Sequence, residues 1–180
     1  MGGMAKGRKL ACPSGFQFRP TTGRVKEFIF SYLNKEIEDS NILDLFSGTG
    51  SLGIEALSRG AREVSFVEKS SVSLKLLKKN INNCGYSDKS KILREDVFFA
   101  LKRMGRMKLT FDFILADPPF KQNLRNKIVT HVEKSRILGQ ESLLILEHES
   151  HDPDHEDHGL VMIKQRQFGH CIISVYRTGD

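Results

Sequence analysis

The stretch Asp44-Leu45-Phe46-Ser47-Gly48-Thr49-Gly50-Ser51-Leu52-Gly53 follows a short apolar run and contains the pattern G-x-G-x-x-G. Glycines at this spacing, between a strand and a helix, are typical of the nucleotide-binding turn of Rossmann-like proteins. Glu68 lies about twenty residues beyond Gly48, where a carboxylate can accept hydrogen bonds from the two hydroxyls of a ribose. The stretch therefore predicts an α/β fold that binds a ribose-containing ligand.

Two classes of ligand and a purely structural role are compatible with this glycine loop. The pattern alone suits a nicotinamide dinucleotide, and glycines also allow a strand and a helix to pack closely. Asp44 argues against the dinucleotide, because its carboxylate at the mouth of the loop repels a pyrophosphate. S-adenosylmethionine carries an ammonium and a sulfonium and no phosphate, so we favour it as the ligand.

Strand-like and helix-like segments alternate along the rest of the chain, as they do in α/β sheets. We expect strands over 42–46, 63–68, 91–95, 111–117, 142–147, 160–166 and 171–177. We expect helices over 25–37, from the glycine loop to about residue 60, and over 71–84, 97–104 and 123–135. The last two strands should form an antiparallel hairpin through Phe168-Gly169.

Acidic residues lie at the ends of four successive predicted strands: Asp44, Glu68, Asp96 and Asp117. Open α/β sheets bind their ligands at the carboxyl ends of the strands. Asp96 suits the N-cap of the helix that begins at Val97, and it can also accept a hydrogen bond from an adenine amino group while Val97 packs on the ring. We therefore expect one pocket lined by these acids.

The tetrapeptide Asp117-Pro118-Pro119-Phe120 follows the fourth of these strands. An exocyclic amine of a nucleobase is a poor nucleophile, since its lone pair is delocalised into the ring, and acceptors are needed to orient its hydrogens. Asp117 and the Pro118 carbonyl can supply them, because proline fixes its φ and offers no N–H donor. A base can stack on Phe120. The alternative is that the prolines only end a strand and Phe120 packs in the core.

The net charge of +6 is unevenly distributed. Six carboxylates lie between residues 147 and 157, which leaves 16 acidic against 28 basic residues elsewhere, a net charge of +12. Such a balance favours polyanion binding, although charge alone does not distinguish RNA from DNA. Residues 1–18 are basic and rich in turn residues, and we interpret them as an arm or small hairpin.

The chain of 180 residues is interpreted as one domain, 1–180, that can bury about two thirds of its unfolded surface. Its three cysteines form no C-x-x-C pair, which indicates free thiols in a reducing, cytoplasmic setting. We expect no membrane span and no signal peptide. The histidine-rich stretch 148–158 has residue types that suit a divalent ion, but it lies between predicted strands, and we interpret it as a solvated acidic loop and expect no metal.

The chain resembles the RsmD family, bacterial methyltransferases that modify the N2 of a guanine in small-subunit ribosomal RNA. The resemblance is carried by 43–60, by the D-P-P-F tetrapeptide, and by Arg19-Pro20-Thr21-Thr22 with Arg24-Val25-Lys26-Glu27. It covers essentially the whole chain, and the R-P-T-T segment is its most specific part. It implies a Rossmann-like class I methyltransferase fold, with a seven-stranded, mostly parallel sheet, an antiparallel final strand and helices on both faces.

The resemblance also implies roles for individual residues. The residues expected to bind S-adenosylmethionine are Thr21, Thr22, Asp44, Phe46, Ser47, Gly48, Gly50, Leu52, Glu68, Lys69, Asp96 and Val97. Those expected at the catalytic centre are Asp117, Pro118, Pro119 and Phe120. Those expected to contact RNA are Lys6, Arg8, Lys9, Arg19, Arg24 and Lys121. The implied partner is ribosomal RNA of the small subunit or its assembly intermediate, and we expect a monomer.

One position departs from the family pattern, which commonly has Asp where this chain has Gly23. A carboxylate at the start of the first helix is thus absent. Two alternatives to the implied function remain open: an amino-methyltransferase acting on adenine in DNA or another RNA, and a non-catalytic RNA-binding assembly factor on the same fold.

Overall fold

The computed structural model describes residues 2–5, 7, 8, 10–12, 23–119, 124–149 and 159–179. The helices in these ranges are α1 (Gly23–Leu33), α2 (Ser51–Ser58), α3 (Ser71–Cys84), α4 (Val97–Arg106) and α5 (Arg125–Ser135). The strands are β1 (Asn41–Leu45), β2 (Glu63–Val67), β3 (Ser90–Leu93), β4 (Phe111–Ala116), β5 (Leu138–Glu149), β6 (Leu160–Phe168) and β7 (Cys171–Thr178). Short 3-10 segments cover Gly3–Ala5, Asn34–Ile37 and Ser87–Lys89.

The strands form one sheet in the order β3-β2-β1-β4-β5-β7-β6. The five strands β3, β2, β1, β4 and β5 are parallel to one another, whereas β7 is antiparallel to both β5 and β6. The expected seven-stranded sheet with a reversed final strand is therefore confirmed. Its order reverses between β1 and β4, which is the point where open α/β sheets bind ligands.

Two apolar cores lie on opposite faces of the sheet, because successive strand residues point to opposite sides. α1, α2 and α3 pack on one face against residues such as Ile42, Phe66 and Leu115. α4 and α5 pack on the other face against residues such as Leu43 and Ile114. Both faces are covered, which explains why the central strands are nearly continuous apolar runs.

Local sequence signals set the bounds of α3, which match the expected 71–84. The Ser70 hydroxyl accepts a hydrogen bond from the Ser73 N–H (3.3 Å) and caps the first turn. Gly85 follows the helix with φ 77°, a left-handed conformation that glycine adopts at little cost. Ser and Gly at these positions explain why this helix could be predicted accurately.

The expected and observed boundaries differ most at the end of α1 and the start of β5, and by one or two residues at several other ends. Ile37 was expected at the end of the first helix, but α1 ends at Leu33 and Ile37 lies in the 3-10 segment that follows. β5 was expected over 142–147 and extends from Leu138 to Glu149, because it pairs with β4 on one side and β7 on the other. In the described part of the chain, no helix has the length and apolar character needed to cross a membrane. The three cysteines are free thiols.

Candidate active site

Asp44 lies inside β1, one residue before its end, and its side chain is only 2% exposed. The Gly53 N–H in α2 donates a hydrogen bond to Asp44 Oδ2 (3.0 Å). Burial raises the pKa of Asp44 to about 8, the Gly53 hydrogen bond opposes that shift, and the charges of Asp117 and Glu68 add to it. The neutral acid is therefore the favoured form near neutral pH, and a cation placed beside it would favour the carboxylate.

Glycine is required at position 53 because α2 approaches β1 closely. A Cβ at this position would lie 2.9 Å from Asp44 Oδ2 and would overlap the ring of Phe66. The third glycine of the motif therefore lets α2 pack against the sheet and brings its N–H to Asp44. Gly50, with φ 87°, makes the left-handed turn that precedes α2.

Glu68 follows β2 directly and faces the glycine loop. Its Oε2 accepts a hydrogen bond from the Gly48 N–H (2.9 Å), and its Oε1 accepts one from the Ser70 N–H (2.7 Å). Each carboxylate oxygen has a second lone pair, so the group can still accept hydrogen bonds from ribose hydroxyls. Because a carboxylate already binds the Gly48 N–H, the loop does not present that donor to a pyrophosphate.

Asp117 follows β4 directly and lies next to the mouth of the loop. The last residue of β4, Ala116, is in register with Leu45 at the end of β1. Asp117 is partly exposed, Pro118 is buried and Pro119 is exposed. The charge of Asp117 contributes to the raised pKa of Asp44.

Asp96 lies beyond the end of β3, at the carboxyl ends of the strands and on the far side of β2 from β1. It caps α4, since its Oδ1 accepts a hydrogen bond from the Phe98 N–H (3.0 Å). Its Oδ2 lies 3.4 Å from Lys69 Nζ in an exposed ion pair. Val97 is buried in the core beneath α4. The N-cap interpretation of Asp96 is confirmed, and the group remains accessible to a ligand at this edge.

The remaining loop residues contribute to the shape of the turn. Phe46 has φ 58°, a strained conformation for a residue with a side chain, and its ring packs edge-on against Phe98. The Ser47 hydroxyl lies 2.7 Å from the Asp44 carbonyl and 3.2 Å from the Val67 carbonyl. Leu52 is 4% exposed and packs in the core with α1 and α3.

Two contacts at the loop were not predicted from the sequence. Asn80 of α3 is 1% exposed and donates from Nδ2 to the Thr49 carbonyl (2.9 Å) and the Ala11 carbonyl (3.1 Å). Its Oδ1 accepts from the Ala11 N–H (2.8 Å). Asn80 thus ties the glycine loop to the amino-terminal segment. A polar residue at a buried helical position, four residues before Cys84 and next to Ile81, was the available signal.

Lys26 of α1 makes the second unpredicted contact, from Nζ to the hydroxyl of Ser51 at the start of α2 (3.1 Å). This contact places the beginning of α1 beside the glycine loop. Among the residues expected to bind RNA, Arg24 is exposed on the first turn of α1. Arg8 donates from its guanidinium to the Asn83 carbonyl on α3.

Several predicted site residues lie outside the described residues: Lys6, Lys9, Arg19, Thr21, Thr22, Phe120 and Lys121. The same holds for 150–158, most of the histidine-rich stretch. Within the ranges that the structure describes, no group of three or more His, Cys, Asp or Glu side chains is arranged to hold a metal ion.

A family model described as conserved hypothetical protein 95, the RsmD family, matches residues 1–177. The chain belongs to the RsmD family. The ribosomal RNA small subunit methyltransferase D of Haemophilus influenzae is 32% identical over 178 residues, which span 98% of this chain and 91% of the relative. The resemblance seen in the glycine loop, the D-P-P-F turn and the R-P-T-T segment is thus confirmed.

Solved structures support the same fold for this RsmD-family chain. A structure from Escherichia coli is 29% identical, has a TM-score of 0.85 and covers 99% of this chain and 96% of its own. A SAM-dependent methyltransferase from Agrobacterium tumefaciens, 18% identical, shares only the fold, with a TM-score of 0.65 over 84% of this chain and 62% of its own. The expected class I methyltransferase fold is confirmed.

In this RsmD-family chain the arrangement suits a cationic, ribose-containing ligand better than a dinucleotide. The Gly48 and Gly53 N–H groups, which a phosphate-binding loop would offer to an anion, are occupied by Glu68 and Asp44. The buried Asp44 has a pKa that a neighbouring cation would lower. S-adenosylmethionine therefore fits the residues that are present.

Proposed function

We propose that this protein transfers a methyl group from S-adenosylmethionine to the N2 amine of a guanine in small-subunit ribosomal RNA. The observation that supports this most directly is that Asp44, Glu68 and Asp117 lie at the carboxyl ends of three adjacent strands, since Leu45 is in register with Val67 and with Ala116. In this proposal Asp44 would face the cation, Glu68 would bind the ribose and Asp117 would orient the amine. The Haemophilus influenzae relative is named for small-subunit ribosomal RNA methylation, which supports the choice of acceptor.

The cofactor would be held by groups from three strand ends. Glu68 would bind the ribose hydroxyls with its remaining lone pairs, and Asp44 would lie near the methionine end. Asp96, beside Val97, would accept a hydrogen bond from the adenine amine. S-adenosylmethionine would supply an electrophilic methyl group: its carbon–sulfur bond breaks as the carbon–nitrogen bond forms, S-adenosylhomocysteine leaves, and the amine loses one proton. The chain's own residues bind and orient the two reactants.

Asp117 and Pro118 would orient the acceptor. The Asp117 carboxylate and the Pro118 carbonyl accept hydrogen bonds from the two N–H bonds of the guanine amine, which turns its lone pair toward the methyl group. Orientation of the two reactants and local electrostatics can each contribute several kcal/mol to the rate enhancement. A guanine in folded RNA must be splayed out of its stack to reach this turn, and Phe120 offers a ring on which it can stack.

Mapping of the methylated nucleotide tests the proposal directly. The protein is incubated with methyl-labelled S-adenosylmethionine and, in parallel, with naked small-subunit rRNA, assembled small subunits or duplex DNA, and the modified base is identified by mass spectrometry. The expected product is N2-methylguanine in RNA. Label in adenine, or in DNA alone, would favour the adenine amino-methyltransferase. Absence of both label and cofactor binding would favour a non-catalytic assembly factor.

The Asp117→Ala variant tests the role of the Asp117 carboxylate in orienting the amine. It should retain S-adenosylmethionine binding, measured by calorimetry, while the transfer rate falls by at least ~100-fold, because Asp117 acts on the transition state. Removing its charge should also lower the pKa of Asp44, since Asp117 raises it. Glu141→Ala, at the opposite edge of the sheet, serves as the control. Wild-type turnover in Asp117→Ala would contradict the assigned role.

A further inference from the structure

An arginine on the outermost strand, β6, packs against two neighbouring aromatic rings. The Arg166 Cζ atom lies 5.1 Å from the ring centroid of Phe28 on α1 and 5.4 Å from that of Phe168 on β6. The two rings lie 5.4 Å apart, and Tyr32, 37% exposed, lies 6.2 Å beyond Phe28. Arg166 is exposed, and the planar fork of N–H donors on its guanidinium matches phosphate oxygens.

The second half of β6, residues 164–168, is basic on the face that carries Arg166. Lys164, Arg166 and Phe168 are in register with Val175, Ile173 and Cys171 of β7, whose side chains belong to the core under α1. Because strand residues alternate between faces, the three β6 side chains lie on the α1 side. Lys164 and Arg166 are both exposed, and neither β6 nor β7 contains an acidic residue.

This surface lies at the same level as the candidate active site. Ala116, the residue before Asp117, is in register with Leu146, then Ser174, then Gln165. β4 and β6 run in the same direction. Arg166, one residue after Gln165, therefore lies at the same height along the strands as Asp117, one residue after Ala116. Three strand spacings separate them, or ~14 Å. That distance corresponds to a few nucleotides along one strand of a nucleic acid.

We propose that Phe28, Tyr32, Lys164, Arg166 and Phe168 form a docking surface for single-stranded RNA that flanks the target base. Exposed cations interleaved with aromatic rings match the phosphates and bases of such a strand, and this combination is typical of single-strand binding surfaces. Arg166 binds a phosphate, and bases stack on the exposed ring of Tyr32 and on the accessible parts of the half-buried Phe28 and Phe168 rings. The choice of RNA as occupant rests on the proposed function. Lys164, Arg166 and Phe168 extend the expected RNA contacts from the amino-terminal arm and α1 to β6.

Binding to a fluorescein-labelled single-stranded RNA, followed by anisotropy between about 50 and 200 mM salt, tests this surface. Arg166→Ala should weaken binding by about tenfold and reduce the slope of log Kd against log salt by about one, as expected for a lost phosphate contact. Arg166→Lys keeps the charge and should keep the slope, but it should bind more weakly because lysine does not stack as a planar group. Lys164→Ala should also reduce the slope by about one.

Lys89→Ala is the matched control, because Lys89 is exposed just before β3, at the amino end of the strands. It should bind RNA with the wild-type slope. Wild-type affinity and slope in both Arg166→Ala and Lys164→Ala would overturn the docking surface, as would a failure of the wild-type protein to bind the RNA. The assay needs neither cofactor nor turnover. A protein that shows the Arg166 effect but never methylates RNA would refute the proposed function and leave the docking surface standing.

Discussion

The carboxyl group of Asp44 is buried beneath the glycine loop with a pKa near 8, well above its ordinary value of 3.8. Between those two values the folded protein retains a proton that the unfolded chain loses. The free energy of unfolding should therefore receive a contribution from Asp44 that is complete below about pH 4 and is lost as pH rises toward 8. The limiting slope for one such group is ~1.4 kcal/mol per pH unit.

The Asp44→Asn variant isolates this contribution, since the amide oxygen can still accept from the Gly53 N–H. The difference in unfolding free energy between variant and wild type, from urea titrations without cofactor, should shift in favour of the variant from pH 5 to pH 8. Asp88→Asn, which changes an exposed carboxylate in the segment before β3, should follow the wild type. A constant difference between Asp44→Asn and wild type over this range would show that Asp44 is ionised in the free protein.

Asn80 is the second residue with a testable structural role, because its side chain makes three hydrogen bonds that join α3 to Thr49 and Ala11. Asn80→Ala should lower the free energy of unfolding by about 2 to 4 kcal/mol, since each lost bond contributes about 1 kcal/mol and a buried acceptor is left unpaired. Hydrogen exchange of the Ala11 amide should also accelerate. Asn83→Ala, exposed on the same helix, should change stability by less than ~0.5 kcal/mol. Equal stability of the two variants would contradict the bridging role.

At the scale of the element, α1 begins at Gly23 and has no acidic residue in its first turn. A Cβ at Gly23 would meet no atom within 4 Å, so larger residues fit there. Gly23→Asp, which restores the residue common in the family, should be more stable than Gly23→Ala by ~0.5 to 1 kcal/mol, because the carboxylate interacts favourably with the helix N-terminus. The difference should shrink in 1 M salt. If thermal unfolding finds no difference between the two variants, this end of α1 is already capped.

The elements also show which structural features could be predicted from the sequence. Ser70 and Gly85 fix the ends of α3 through contacts within a few residues, and the acids that end β2 and β4 follow from the alternation of strands and helices. The full length of β5 depends on pairing with β4 and β7, and the Lys26 contact with Ser51 depends on how α1 packs beside α2. Those features arise from residues distant in sequence, and no local pattern encodes them.

At the scale of the whole molecule, a group of acids lies at the amino ends of the strands, opposite the candidate active site. The amino ends of the central strands form a cavity of about 460 Å³ whose lining includes Glu36, Glu38, Asp39, Asp112 and Glu141. The carboxyl ends carry the candidate active site, with Arg24 on α1 and Arg166 on β6 exposed beside it. A polyanion should therefore approach the carboxyl edge and be repelled from the amino edge.

A variant with Glu36→Gln, Glu38→Gln, Asp39→Asn and Glu141→Gln tests whether the positions of the charges or the net charge of the protein governs RNA binding. It raises the formal net charge by four, yet its changes lie about 20 Å from the carboxyl edge, the length of the six-residue strand β4. The Debye length is about 8 Å at 0.15 M ionic strength, so charges at that distance are largely screened. The RNA affinity of this variant should thus change by less than ~3-fold at 0.15 M salt, although it should change more at 0.01 M, where the Debye length reaches about 30 Å. An affinity gain of tenfold or more at 0.15 M would mean that RNA contacts the amino edge, contrary to the orientation argued from Asp117 and Arg166.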